Sequence, residues 1–363
     1  MKKVGILTFH NTTNYGAALQ AYALQTKINN MGYKCDTIDY INKEIEDIYK
    51  PKNIKDIKGI KQFAKYLLNN NNQKKVYNTF SKFYIEHMKF SKRVNKTNVC
   101  ELNNDYDKFI VGSDQVWNLN LSYQDQNYYL KFVTDDVKKN SYAASFGYKE
   151  VPEEYKEFTK NALSEFHNIS VRENQGRDII KSLLNRDVSV VLDPTLLLER
   201  KEWTDLINDE KIEEQEDYIL LYIVSPNEEI IKFSRMLAKK YNCKILWINN
   251  TIKKLKGIKN IRGCGPIEFL KYIKNAKYIV TTSFHGVALS VALNKQFFYG
   301  LSKEKNNFNS RIISLVDILK LCDRDIASYS NDKIQNINYD EINIILEKQR
   351  DISLEYLKKV LSE

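Results

Sequence analysis

Short apolar runs alternate with longer stretches of helical period along most of the chain. "VGILTF" is of strand length, "NYGAALQAYALQTKINNMG" repeats its apolar residues at helical spacing and stops at Gly32, and "KCDTIDY" is a strand again. That succession predicts a βαβ unit. From about residue 43 to residue 100 the rhythm breaks, and two Lys/Asn-rich helical stretches, "IKQFAKYLLNN" and "NTFSKFYIEHMKF", are bridged by the low-complexity "NNNNQKK". This segment reads as a helical insertion.

The alternation resumes with "KFIVGSD", "NSYAASFG", "NISVREN" and "VSVVLDPTLLL", each an apolar run stopping at polar or small residues. The acidic piece "LINDEKIEEQED" reads as a boundary. Beyond it, "YILLYIV", a helix at 228–241, "CKILWIN", "PIEFLKYIKNA", "KYIVTTS", "GVALSVALN" and "KQFFYGL" form a second α/β series, and the remainder is helical. Alternating strands and helices argue for parallel sheets covered by helices. The expected fold is α/β: two Rossmann-like domains facing across a cleft, over residues 1–200 and 201–363, with the helical insertion in the first and a helical tail on the second.

Composition narrows the partners. The 363 residues carry a net charge of +10, which suits an anionic partner, but the lysines are spread along the chain and equally describe a solvated surface. No helix-turn-helix, zinc-finger or aromatic RNP pattern accompanies the charge, so nucleic acid is not expected. No apolar stretch approaches a membrane span, and the N-terminal run lacks a cleavage signal. The five cysteines are odd in number and far apart, as suits reduced thiols in the cytoplasm. His10, His87, His167 and His285 are scattered, and the "DYD" at Asp105–Asp107 reads as a solvated turn, so no metal or cofactor is expected. Glycine-rich dinucleotide, Walker and G-x-S-x-G patterns are absent.

Ligand sites in open α/β sheets lie beyond the carboxyl ends of the strands, so the polar stops carry the chemistry. In "KYIVTTSFHGVALSVALN" a strand ends at Val280 and a helix starts near Gly286, which aims free amides and the positive end of the helix dipole at the loop. Ser283 adds a hydroxyl, Gly286 permits close backbone approach, and His285 supplies a titratable group or merely caps the helix. Arg172 in "ISVREN" offers a fork to a carboxylate or phosphate, or a salt bridge to Glu173. "FIVGSDQVWN" places Ser113, Asp114 and Gln115 after a strand, with Trp117 as either a sugar-stacking platform or a core residue. Asn14 and Gly16, with His10 nearby, precede a helix as a second anion or polyol site. "DPT" at Asp193–Thr195 reads as a turn.

Seven stretches in order, "NYGAALQAYAL", "FIVGSDQVWN", "YAASFG", "ISVREN", "LDPTLLL", "TTSFHGVALSVALNKQFF" and "NSRIISLVDILKL", resemble the polysaccharide pyruvyl transferase family over about residues 4 to 322. The resemblance implies a fold like that of GT-B glycosyltransferases. It also implies transfer of the enolpyruvyl-derived group of phosphoenolpyruvate onto two hydroxyls of a sugar, with the donor a substrate and not a cofactor. Donor-binding residues carry over onto Arg172 and His285. Where some relatives have Arg-Leu-His this chain has Ser283-Phe284-His285, which removes one cation. A downstream basic residue carries over onto Lys305, with Lys303 and Arg311 as rivals. On this reading His285 moves protons, Asp114 orients or deprotonates the acceptor hydroxyl, and the acceptor is a nucleotide- or lipid-linked sugar. A lipid-linked acceptor would bring the enzyme to the inner membrane face as a peripheral protein. Alternatives are a GT-B-type glycosyltransferase using a nucleotide sugar and a non-enzymatic sugar-binding protein; a nicotinamide oxidoreductase is disfavoured by the missing glycine fingerprint.

Overall fold

The computed structural model describes residues 2–57, 59–208, 216–224, 227–302, 309–329 and 335–363. The first unit runs β1 (Lys3–Leu7), α1 (Tyr15–Asn30), β2 (Lys34–Thr37), β3 (Tyr40–Ile41), α2 (Lys43–Tyr49), α3 (Ile60–His87), β4 (Val94–Asn95), β5 (Lys108–Val111) and β6 (Lys139–Ser141). It continues through α4 (Glu153–Ser164), β7 (Ser170–Val171), α5 (Asn174–Leu184), β8 (Ser189–Val190) and α6 (Arg200–Ile207). The second comprises β9 (Tyr218–Tyr222), α7 (Glu228–Tyr241), β10 (Lys244–Ile248), β11 (Lys259–Ile261), α8 (Pro266–Asn275), β12 (Tyr278–Thr281), α9 (Phe284–Ala292), β13 (Phe297–Tyr299) and α10 (Ser310–Ile318), followed by α11 (Tyr339–Ser362).

Both main sheets are parallel, ordered β2-β1-β5-β6 and β11-β10-β9-β12-β13. Isolated bridges Asn140↔Asn168 and Ala144↔Val171 attach the β7–β8 pair beyond β6. The order reverses between β1 and β5 in one sheet and between β9 and β12 in the other, and such switch points open a crevice at the carboxyl edge. The loops carrying Asn14, Asp114 and Ser283 leave β1, β5 and β12 at these points.

The apolar core is continuous between the units: Tyr15 of α1 stacks on Phe269 of α8 at 4.3 Å, donates its hydroxyl to Cys264 O at 2.9 Å, and packs on Phe80 of α3. The insertion differs from the sequence pattern. α3 runs unbroken through the asparagines expected to interrupt it, because tertiary contacts outweigh their weak helix propensity. Asn69 and Asn70 are buried, and Asn72 Nδ2 donates to Asn250 O at 3.0 Å in the second unit. α11 starts on the second unit and returns to the first, where Ser353 Oγ accepts from Leu192 N at 3.0 Å and Arg350 donates to the Leu196 and Leu198 carbonyls. The tail therefore joins both units.

Candidate active site

A cavity of about 740 Å³ opens between the carboxyl edges of the two main sheets, within the range of small-molecule sites. The first unit contributes Asn14, Tyr49, Asp114, Gln115, Asn120 and Tyr123; the second contributes Tyr222, Ser283, His285, Asn309 and Arg311.

His285 is the second residue of α9, whose N-cap is Ser283; the Ser283 hydroxyl accepts from Gly286 N at 3.4 Å. Helix geometry leaves the first amides of α9 without intrahelical partners. The imidazole is held on two sides. Its Nε2 lies 3.6 Å from Asp193 Oδ2, and it packs against α1 at Gly16, where a Cβ would fall 2.0 Å from Nδ1. Gly16 is thus the gap that admits the ring. Gly16→Ala would favour the helix intrinsically, yet the overlap must displace the imidazole. The expected result is an unfolding midpoint close to that of the parent and a turnover lower by about 10²-fold, the scale on which roughly an ångström of misplacement acts; calorimetry and steady-state kinetics check both.

Asp193 is the hub of the site and escaped the reading of "DPT" as a plain turn. Its Oδ1 accepts from Thr195 N and Oγ1, as a turn-forming aspartate does, at 3.0 and 2.7 Å. Its Oδ2 accepts from Arg172 Nη1 at 2.9 Å, lies 3.1 Å from Ser113 Oγ, and faces His285. Burial alone would raise this carboxyl, but His285 and Arg172 hold it well below the usual carboxylate range. The signal that could have found it is the one used for Asp114, a carboxylate directly after a strand.

Arg172 is buried and ion-paired, although its Nε, like that of Arg311, has no hydrogen-bond partner. Besides Asp193 it meets Asp114 Oδ1 at 3.5 Å and Glu173 Oε2 at 3.7 Å, with its guanidinium 4.6 Å from the Phe284 ring centre. Burial opposes its charge, but Asp193, Asp114 and Glu173 raise its pKa. It is not among the residues lining the cavity, so the expectation of a fork open to ligand is corrected: the fork is spent on carboxylates. Glu173 shares the cluster, its Oε1 accepting from Ser145 Oγ at 2.7 Å, and burial raises its carboxyl.

Arg311 contrasts with Arg172. Half-buried at the start of α10, it lines the cavity, and among the described residues no carboxylate lies within ion-pair distance of it. Its Nε has no hydrogen-bond partner. Burial and the neighbouring Arg172 push it down to about 10. Its guanidinium lies 6.0 Å from the Phe284 ring centre, and a cation beside another cation, with no carboxylate at ion-pair distance among the described residues, is suited to an anion arriving through the cavity.

The other expected residues divide. Asn14 lines the cavity while its Oδ1 caps α1, accepting from Gly16 N at 2.9 Å. Asp114 lines it too, with φ +77, a left-handed conformation aspartate tolerates better than most residues. Gln115 lines the same wall. Trp117 is corrected: fully buried among Tyr129, Phe146 and Phe166, it is core and no platform. Ser113 is also fully buried, supporting Asp193 and not a ligand. Gly286 is needed by Thr281, whose Oγ1 would lie 2.3 Å from an added Cβ, and not by an approaching anion. His10 pairs with Asp39 at 3.3 Å away from the cavity. Lys305 and Lys303 lie outside the described residues. The pattern reading missed the aromatic walls Tyr49 and Tyr123, whose segments carry no sequence signal for a site.

Comparison with known proteins adds a family and a fold. The family model described as polysaccharide pyruvyl transferase matches residues 14–302. No curated protein matches the whole sequence significantly. Among solved structures, the UDP-GlcNAc 2-epimerase from Neisseria meningitidis bound to UDP-GlcNAc is similar with a TM-score of 0.50 at 10% identity, over 99% of this chain and 100% of that one. The E. coli heptosyltransferase WaaC with ADP-2-deoxy-2-fluoro heptose reaches 0.40 at 10% identity, over 87% of this chain and 99% of that one. At such identities the likeness concerns the GT-B-like fold alone.

Proposed function

Because the chain belongs to the polysaccharide pyruvyl transferase family, we propose that it transfers the enolpyruvyl-derived group of phosphoenolpyruvate to two hydroxyls of one sugar, forming a pyruvate ketal. The observation that carries this reading is Arg311, with no carboxylate at ion-pair distance among the described residues, lining one cavity together with His285 of the first turn of α9 and, on the first unit's side, Asp114.

The donor carries a phosphate and a carboxylate, and Arg311 with the free α9 amides supplies cation and donors for one of them. Arg311 here takes the place of the cation missing at Ser283. His285, beside Asp193, gives a proton to the methylene carbon, making the central carbon electrophilic. A sugar hydroxyl oxygen bonds to that carbon and loses its proton to Asp114. The carbon–oxygen bond to phosphate then breaks, the departing phosphate taking the proton held by Asp114, and a second hydroxyl closes the ketal as its proton returns to His285. Across the sequence a diol and phosphoenolpyruvate become a ketal and inorganic phosphate. Asn14, Gln115 and Asn120, with the rings of Tyr49 and Tyr123, suit a sugar acceptor on the opposite wall.

The test is incubation with phosphoenolpyruvate and a panel of nucleotide- and lipid-linked sugars, read by mass spectrometry for a gain of pyruvic acid less water, together with phosphate release. Binding of a nucleotide sugar as donor, with glycosyl transfer and no phosphate release, would replace this reading. Arg311→Ala is expected to weaken phosphoenolpyruvate binding by about 1.5 to 3 kcal/mol, the scale of a hydrogen bond to a charged group, with normal melting. Unchanged affinity in calorimetry removes Arg311 from the donor site.

A further inference from the structure

Large apolar side chains on the surface are unevenly distributed. Of the fifteen that are exposed among the described residues, four, Ile48, Leu121, Tyr123 and Val224, rim the cavity, at 44% for Leu121 to 67% for Val224. Five more, Ile54, Ile60, Phe63, Leu67 and Leu68, follow directly on the Ile48 side, up to 88% exposed at Ile60. Ile60, Phe63 and Leu67 stand at i, i+3 and i+7 on the first turns of α3, so they share one face. That face has no core beneath it, whereas the later part of the same helix is buried through Val76, Phe80 and Phe83.

The same stretch of sequence is basic: from position 50 to position 68 it holds six lysines and one aspartate, so half of the net charge of +10 is carried by 19 residues. Lys50 pairs with Glu46, while Lys52 and Lys55 are exposed. Among the described residues no helix is long and apolar enough to cross a membrane. Exposed apolar side chains in a lysine-rich stretch of sequence are the composition of an element that lies in a lipid interface. The later part of α3 is tied to the second unit by Asn72, and α2 supplies Ile45, Ile48 and Tyr49 to the cavity wall. In the sequence Ile54, Ile60, Phe63, Leu67 and Leu68 lie between α2, which lines the cavity, and Asn72, which ties α3 to the second unit.

We propose that Ile54, Ile60, Phe63, Leu67 and Leu68, with the exposed Lys52 and Lys55 and the apolar rim of the cavity, form a docking surface for an anionic lipid bilayer, which brings the cavity mouth to the membrane. That the docked mouth receives a lipid-linked acceptor rests on the transferase reading; the docking itself does not.

The test uses the full chain, without donor or acceptor, sedimented with phosphatidylcholine vesicles with and without phosphatidylglycerol. The parent is expected to sediment with the anionic vesicles only, and added salt to release it. Ile60→Ser/Phe63→Ser/Leu67→Ser should lower partitioning by about tenfold or more, and Lys52→Gln/Lys55→Gln by roughly fivefold per lysine. These residues lie outside the cavity, so unfolding midpoints and phosphate release with a soluble acceptor should be unchanged. Parent protein that ignores anionic vesicles, or apolar variants that sediment as well as the parent, overturns the proposal. So does a concentration-dependent dimer that the triple variant abolishes, since the face would then belong to a second copy. Vesicle binding is read without turnover, so a negative result leaves the transferase reading standing, and inactivity on every sugar leaves the docking standing.

Discussion

Replacing His285 with alanine is expected to lower turnover by roughly 10² to 10⁴, the range for a positioned acid or base, while the chain stays folded. The imidazole lines the cavity with α1 at Gly16 packed on one side and Asp193 on the other. Its removal leaves the α9 cap at Ser283 and the Arg172 cluster in place. His285→Gln separates two roles, because glutamine donates a hydrogen bond but does not titrate. Recovered phosphoenolpyruvate binding without recovered turnover identifies proton transfer; recovery of both reduces the histidine to an anion contact. Near-parental phosphate release by His285→Ala with a proven acceptor would show that the histidine only caps and packs.

Arg172→Ala is expected to destabilise the protein by about 3 to 5 kcal/mol, the cost of removing one partner of a buried ion pair. Asp193 and Glu173 are buried with it, and Asp114 is nearly so, and all three lose their shared cation. This reverses what a strand-end arginine suggests from sequence alone, where a ligand-facing fork could be replaced with little effect on the fold. Arg172→Lys keeps charge but loses the fork geometry, and should fall between the parent and Arg172→Ala in denaturant melts. An Arg172→Ala midpoint equal to the parent's would mean that the cluster carries no stability. The pH dependence has a definite sign. Asp193 is depressed in the folded state, so its contribution is fully present above the ordinary aspartate range and is lost as pH falls below it. Glu173 is raised, so stability falls as pH rises through and above its ordinary range, a separate window from that of Asp193. Asp193→Asn should therefore flatten the acid limb of the stability curve.

The sequence by itself determined the architecture and the neighbourhood of the chemistry. Period-two runs alternating with helical period dictate parallel sheets, because helices between strands leave no short antiparallel return. The polar stops after β1, β5 and β12 were legible as the cavity edge because ligand sites follow strand ends. Tertiary structure decided what each side chain does there. Whether Arg172 serves a ligand or a carboxylate depends on Asp193, 21 positions later, and on Asp114, 58 earlier. Trp117 became core because Tyr129, Phe146 and Phe166 converge on it, and Gly16 gained its purpose only when α9 laid His285 against it. Hydrophobic period records which face of an element is buried, but not which distant charge will meet it. That pairing is a property of packing between elements, and here it set Arg311 on the cavity and buried Arg172 among carboxylates.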